Sequence, residues 1–526
     1  MTEPDYIVVG SGINGLVCAA TLGRRGKTVV LVERNDRIGG CLRSDELIEP
    51  GFKHDVLATW FPLFITSPAY AELQEELAAH GVTFDTTNKP TAAVLPDNSA
   101  FVLSCDREQN IATMNARYSG DGDAYASALA FVEATAGLSF GLLSQQLRRP
   151  GIARLLVRSL WKHGVDGLIS YFGSALCSCR TWLHSSIQDP AARACLAAWV
   201  LHVGLTPESS LSGHFAKIVA FTLEQTGMPV VRGGNQALLD AFAKIIAAHG
   251  GTIMTSADID GILTSRDRAV GVILADGSTL RAREGIVCSV TPTQLYGRLL
   301  REVKLPKTVR DSAQRFRYGL GNLQIHLALN EHPDWINDEL SDVALVHVTD
   351  GLDGISRATS EGTRGKLPSA STIAVGQPHV VDPSRAPPGG AILWIQILDV
   401  PRYFEGEAAA AIHSDESDRQ WTPRIREDFA DRIIDRLRRH IRNLDSATIG
   451  RKVLSPADLE RLNINLVGGD PYGGFCGLEQ SFLWRPGTGS RNYNTPVKSL
   501  YHIGASTHPG PGLGGVSGYL MAVQLS

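Results

Sequence analysis

Apolar and polar positions change their period several times along the chain, and each change marks an element. Tyr6-Ile-Val-Val9 is a short β-branched run that predicts a buried strand. Apolar positions then recur at helical spacing from Asn14 to about Arg25, and Thr28-Val-Val-Leu-Val-Glu33 returns to strand. From Pro68 to about His214 the spacing is largely helical: Ala69 to His80, Gly122 to Ser144, Gly151 to Phe172 and Ala191 to Leu205, with Pro150 and Pro190 at helix starts. Mixed α/β patterning resumes at Val230-Val231. It predicts a helix to His249, strands at 251–254, 259–264 and 269–274, a hairpin turn at Asp276-Gly277 and a buried strand at 285–289. Between 291 and 450 a helix at 427–443 alternates with strands at 323–329 and 391–398, and polar, Pro- and Gly-rich connectors are expected at 350–390 and 403–420. A last strand, Ser499 to Gly504, runs into a glycine-dense turn ending at Gly518, which opens a final helix. The pattern predicts an α/β fold. A Rossmann-type domain is assembled from 1–67, 215–290 and 450–526, and a mixed α+β substrate domain with a helical insertion is built from 68–214 and 291–449.

The first strand–turn–helix carries chemistry. In Gly10-Ser-Gly12-Ile13-Asn14-Gly15, Gly10 allows the tight turn, Gly12 lets backbone approach a pyrophosphate, and Gly15 lets the helix pack on the strand. The helix N-terminus, through the amides around Ile13 and Asn14, favours negative charge. Glu33, followed by Arg34, stands where an acceptor takes both ribose hydroxyls, and an acid there disfavours a 2′-phosphate. A second glycine pair, Gly39-Gly40, with Arg43 close behind, brings backbone near the same dinucleotide.

Bulk composition removes other classes. Lys plus Arg total 50 against 54 Asp plus Glu, and the pI is near 6.4, so there is no basic excess for tracking nucleic acid. The eight scattered cysteines read as reduced thiols with no metal-ligand spacing, and no metal is expected. The first strand begins by about residue 6, which argues against an export leader, and a cytoplasmic location is expected. The apolar stretches 124–144 and 191–205 are interrupted by Glu133 or too short, so no transmembrane helix is expected.

The C-terminal run Gly504-Ala505-Ser506-Thr507-His508-Pro-Gly-Pro-Gly512-Leu-Gly-Gly515-Val516, taken with the Gly10 loop, Gly39-Gly40 and Gly233-Gly234, resembles the phytoene desaturase-like branch of the FAD-dependent oxidoreductases, with a glutathione-reductase-2-type fold. Within it, Pro50-Gly-Phe-Lys-His54-Asp55 and the segment from Gly468 to Pro486 are similar to the carotenoid ketolase and pyridine-nucleotide-disulfide-oxidoreductase-domain relatives. The resemblance implies a non-covalent FAD held at both glycine turns, with Gly504, Ala505, Ser506, His508, Gly512, Gly515 and Val516 at the flavin. It also implies hydride removal from an apolar or amphipathic molecule such as a terpenoid or carotenoid, reoxidation by oxygen or a quinone, and peripheral membrane contact. Cys41 and His502 depart from the family pattern. Two other functions stay open: a flavin amine oxidase, against which Thr507-His508-Pro509 argues, and a GDP-dissociation-inhibitor-like binder of prenylated partners.

Side chains that can act on substrate are fewer. His508 is the polar candidate inside the flavin turn, with shaping of that loop as the equal alternative. His54 is a candidate at the site's mouth. Trp60 and Phe64, and Tyr472, Cys476 and Trp484, are candidate substrate-lining residues, each with packing as the simpler account. Gly151 to Phe172 carries Arg154, Arg158 and Lys162 among large apolar residues, a composition that suits either an interfacial helix or a core helix with snorkelling stems.

Overall fold

The computed structural model describes residues 3–405, 420–487 and 491–526. A five-stranded sheet takes its strands in the order Leu500–Ile503, Gly285–Ser289, Tyr6–Val9, Val29–Val32, Thr252–Met254. All four pairings are parallel. Such strands are covered on both faces, which is why they read as unbroken apolar runs. The helices Ile13–Arg24, Gln236–Ala248 and Val516–Leu525 pack on one side with Leu16, Val17, Phe242, Met521 and Ala522 in a common core. His502, the polar interruption in the last strand, is fully buried and donates from Nε2 to the Val290 carbonyl at 2.7 Å.

The second unit is a seven-stranded sheet, in the order Thr448–Leu454, Gly321–Leu329, Ala391–Val400, Ile373–Gly376, Leu345–Val348, Thr91–Val94, Ala100–Leu103. Four expectations are corrected here. The segment 68–214, expected to be largely helical, also supplies the strands Thr91–Val94 and Ala100–Leu103, which complete this sheet. Helix Pro68–Ala79 belongs by its contacts to the nucleotide core, where Ala69, Leu73 and Leu77 are buried. Thr448–Leu454 straddles the expected boundary at 450 and pairs with Gly321–Leu329 in the large sheet. The stretch 350–390 holds helix Gly351–Thr363 and the strand Ile373–Gly376 in place of a connector. Most of the other expected connector, 403–420, lies outside the described residues.

The helical layer comprises Asp121–Leu143, Pro150–Leu176 and Pro190–Ala198, the last two at their expected proline starts and the second broken at Gly164, where φ is 71°. By length and composition Asp121–Leu143 is apolar enough to cross a membrane, contrary to the expectation, since Glu133 alone does not disqualify it. In the fold its Tyr125, Ala128 and Leu129 join the core beneath the large sheet, and the Tyr125 hydroxyl donates to buried Glu224 at 2.6 Å.

A buried ionic cluster ties the units together. The Arg385 guanidinium, without solvent exposure, meets Asp55 at 2.8 Å and Asp382 at 2.8 Å and donates to the Val231 carbonyl at 2.8 Å. Asp55 also accepts from the Ser44 and Thr59 hydroxyls, and Asp382 accepts the Gly233 amide at 2.7 Å. Charges taken out of water are tolerated only in such saturated geometry. Arg385→Met leaves two carboxylates buried and unpaired, and is expected to cost about 3–5 kcal/mol of stability. Urea unfolding followed by tryptophan fluorescence checks this; an unchanged midpoint would refute the role given to the cluster.

Candidate active site

The first glycine turn divides its labour. A Cβ on Gly15 would lie 1.9 Å from the Gly10 carbonyl oxygen, and one on Gly10, whose φ is 89°, would lie 2.9 Å from that of Ser289. Those two glycines are demanded by packing. Gly12 is different: it caps helix Ile13–Arg24 at φ −62°, and a Cβ there would meet nothing within 4 Å. Space is open directly over a helix N-terminus, where the partial positive charge and free amides attract an anion. Gly40 folds over this point, 3.0 Å from its would-be Cβ to the Gly12 Cα, and the Gly39 amide donates to Ser11 Oγ at 3.0 Å.

Ser11, which the motif reading passed over, is the hinge of this corner. Its hydroxyl and amide both donate to Glu33 Oε2, at 2.6 and 3.0 Å, while the Asn35 amide donates to Oε1 at 2.9 Å. A carboxylate offers about four acceptor directions, so Glu33, nearly buried, keeps one of them, on Oε1, for a ribose hydroxyl. Two neighbours turn away from this corner. Arg34 leans toward Asp258 at 4.0 Å, and Arg43 is held by Asp45, so neither side chain is committed to a dinucleotide as expected. Ile13 is a core residue that contributes through its backbone.

The second glycine turn meets the first. Asn14 Oδ1 accepts the Ser517 hydroxyl at 2.8 Å and the Gly518 amide at 3.4 Å, and Ser517 Oγ accepts the Gly504 amide at 2.9 Å. A Cβ on Gly518 would lie 2.0 Å from the Asn14 carbonyl oxygen, and one on Gly515, at φ 66°, would lie 2.7 Å from Val17. The N-termini of Ile13–Arg24 and Val516–Leu525 are thus clamped side by side. Two positive helix ends at one place suit a ligand that carries negative charge at two places. Gly504 and Gly512, at φ 113° and 125°, shape the turn, while the Ala505 carbonyl accepts Arg485 Nε at 3.0 Å and Ser506 donates to the Gly473 carbonyl at 2.6 Å.

A third wall comes from 54–60, which crosses from the nucleotide unit onto the large sheet. Its carbonyls are held from three directions: Val56 by His326 at 3.3 Å, Leu57 by Trp394 Nε1 at 3.0 Å, and Ala58 by Asn235 Nδ2 at 2.7 Å. On the same sheet face Asn322, Gln324 and His326 alternate along one strand, and Gln396 stands opposite Gln324. Both polar atoms of Gln324, Asn322 Oδ1, Trp60 Nε1 and both His54 nitrogens are buried without a protein partner. Unsatisfied buried amides are costly, so this face is built to be completed by a bound molecule or water. Sequence reasoning missed it, although polar residues at every second position of Gly321-Asn-Leu-Gln-Ile-His were visible. Trp60 lies against it, edge-on to Trp394 at 6.5 Å.

The remaining candidates sort by surroundings. His508 donates from Nε2 to the Leu142 carbonyl at 3.0 Å and is almost buried, which brings its pKa down to about 4. It is a neutral anchor of the turn, so the loop-shaping account describes it better than a catalytic one. Burial, reinforced by Arg385, likewise lowers His54 to about 4, and it lies wholly inside, against His326, not at a mouth. Phe64 belongs to an aromatic core with Phe61, Tyr70, Phe84 and Phe242, so it packs and does not line substrate space. Trp484 is 56% exposed on the surface. Tyr472 is buried, its hydroxyl spent on the Leu201 carbonyl, and the Cys476 thiol lies against Gly204.

Comparison with known proteins agrees with this geometry. The family described as flavin containing amine oxidoreductase matches residues 13–446. Pyridine nucleotide-disulfide oxidoreductase domain-containing protein 2 of Rattus norvegicus is 25% identical, over 98% of this chain and 92% of that protein. A limonene dehydrogenase polypeptide of Castellaniella defragrans is 25% identical over 96% of this chain and 91% of its own length. The neurosporene-forming phytoene desaturase of Rhodobacter capsulatus is 24% identical over 99% and 93%. An oxidoreductase structure from Methanosarcina mazei, 15% identical, superposes with a TM-score of 0.60 over 99% of this chain and 100% of its own.

The chain belongs to the flavin containing amine oxidoreductase family. It is an FAD-dependent oxidoreductase of phytoene desaturase-like type, and the residues present fit that cofactor: the open cradle at Gly12, the acid at Glu33 and the paired helix ends at Asn14 and Ser517.

Gly12→Val is expected to fold like the wild type, because the backbone conformation suits any residue and a Cβ there meets nothing within 4 Å, yet to purify without flavin. Absorbance at the flavin bands together with a thermal melt checks both halves; a stoichiometrically yellow variant would move the pyrophosphate elsewhere. Gly15→Val should fail to fold.

Proposed function

We propose that this protein removes hydride from a C–H bond of an apolar or amphipathic terpenoid-like molecule and hands the electrons to oxygen or a quinone. The carrying observation is the third wall: a sheet face of Trp60, Trp394, Gln324 and Gln396 reached directly from the nucleotide unit through segment 54–60. FAD, when bound, supplies the hydride acceptor. The protein's share is to hold the donor carbon, exclude water and steady the cofactor's electron-rich edge with helix amides. His508, its Nε2 spent on the Leu142 carbonyl, does not serve as a base. Relatives named for limonene and phytoene support the same substrate class.

The family's name supports a second reading, oxidation of amines. Anaerobic mixing with limonene, phytoene and terpenoid alcohols is expected to bleach the flavin, and primary amines are not. Bleaching by amines alone, with peroxide released on admitting air, would replace the first reading with the second.

An apolar substrate must be delivered, and Pro150–Leu176 supplies a surface for that. Val157, Trp161, Val165 and Ile169 are 55, 87, 63 and 65% exposed, beside exposed Arg154, Arg158 and Lys162. This arrangement supports peripheral contact with an anionic bilayer from the cytoplasmic side. Burying one large side chain is worth about 1.5–3 kcal/mol, so Trp161→Asp should weaken cosedimentation with phosphatidylglycerol vesicles about tenfold or more. Equal binding of variant and wild type would sink the assignment.

A further inference from the structure

A cleft of about 170 Å³ lies on the far side of the wall that backs the flavin turn, and nothing above accounts for it. Its walls are apolar and aromatic: Leu201, Leu205, Leu320, Leu398, Tyr472 and Phe475. Its cation is Arg402, whose guanidinium carbon lies 5.5 Å from the ring centre of Tyr318 and 5.4 Å from that of Tyr403. Rings on a guanidinium fix its position while leaving its N–H edge available. Among the described residues no carboxylate lies within ion-pair distance of Arg402. The nearby buried acid, Asp470, accepts the amides of Gly319, Tyr472 and Gly474 at 2.8, 2.7 and 3.0 Å. Glu405 stands exposed at the rim.

The cleft's inner wall is one chain thick. Tyr472–Phe475 faces the cleft on one side. On the other, a Cβ on Gly473 would lie 3.0 Å from that of Ala505, and Ser506 donates to the Gly473 carbonyl. Buried Arg485 ties the layers by donating to the carbonyls of Tyr472 at 2.8 Å and Ala505 at 3.0 Å. A ligand seated here therefore lies beside the redox turn, with its polar end fixed at Arg402 and its apolar body along the leucine and aromatic walls.

We propose that this cleft binds an amphipathic carboxylate, Arg402 taking the carboxylate and the wall from Leu201 to Leu398 taking the chain. The proposal deepens the terpenoid reading by assigning the molecule a polar end. It is tested without turnover, so its failure and that of the oxidoreductase reading on terpenoids are separable.

Calorimetric titration of the FAD-loaded protein with decanoate and with decanol is the test. Decanoate is expected to bind at least about tenfold more tightly than decanol, a ratio typical of one charge-assisted contact. Arg402→Gln should abolish that preference, leaving decanol binding and the thermal melt unchanged, and Arg402→Lys should restore part of it. Unchanged decanoate affinity in Arg402→Gln would overturn the proposal. So would a loss of decanoate binding in Trp161→Asp with none in Arg402→Gln, which would place the fatty chain on the exposed helix.

Discussion

Two helix amino ends pressed together at Asn14 and Ser517 are the constraint on which the rest depends. Each end carries unpaired amides and about half a positive charge, and placing two side by side is unfavourable without an anion to share. The contact is held by one carboxamide, which accepts from both a hydroxyl and an amide of the opposite helix. Glycine at 515 and 518 is the steric condition for that approach, since any side chain there would strike Val17 or the Asn14 backbone. The same clamp brings the two ends of the chain into one parallel sheet and one ligand site.

The second requirement is that the large sheet keep a fixed position relative to that clamp. Segment 54–60 meets it, with carbonyls gripped by His326, Trp394 and Asn235 and its Asp55 locked to Arg385. Because Arg385 also holds Asp382 and the Val231 carbonyl, the turn at 233–234, segment 54–60 and the substrate sheet are referenced to one guanidinium.

The nucleotide half was legible because its demands are local. A strand, a glycine turn, a helix and an acid follow one another in a single short unit, and each residue's job follows from its own backbone. The motif told Gly12, which leaves room for a ligand, from Gly15, which lets the helix pack against Gly10, but it passed over Ser11, whose bonds to Glu33 and Gly39 are made across the fold. The substrate half was less legible. The strand Ile373–Gly376 is short and takes its place between Leu345–Val348 and Ala391–Val400, strands that the chain reaches only through other elements. Phe64 and Trp484 show the same limit in side chains: both are aromatic and near motifs, yet one is sealed in a core and the other lies on the surface. Arg385 sits in a Pro-rich stretch whose pattern says only that the chain turns.

The wall at Tyr472–Phe475 has a consequence for control. It is a single layer between the cleft and the turn that begins at Gly504, to which Arg485 stitches it. If filling one face displaces that layer, thermodynamic reciprocity requires that gaining or losing electrons on the other face alter the retention of whatever fills the first. Midpoint potential and guest release would then be conjugate quantities, giving the molecule a built-in way to let go of a spent guest when its redox state changes.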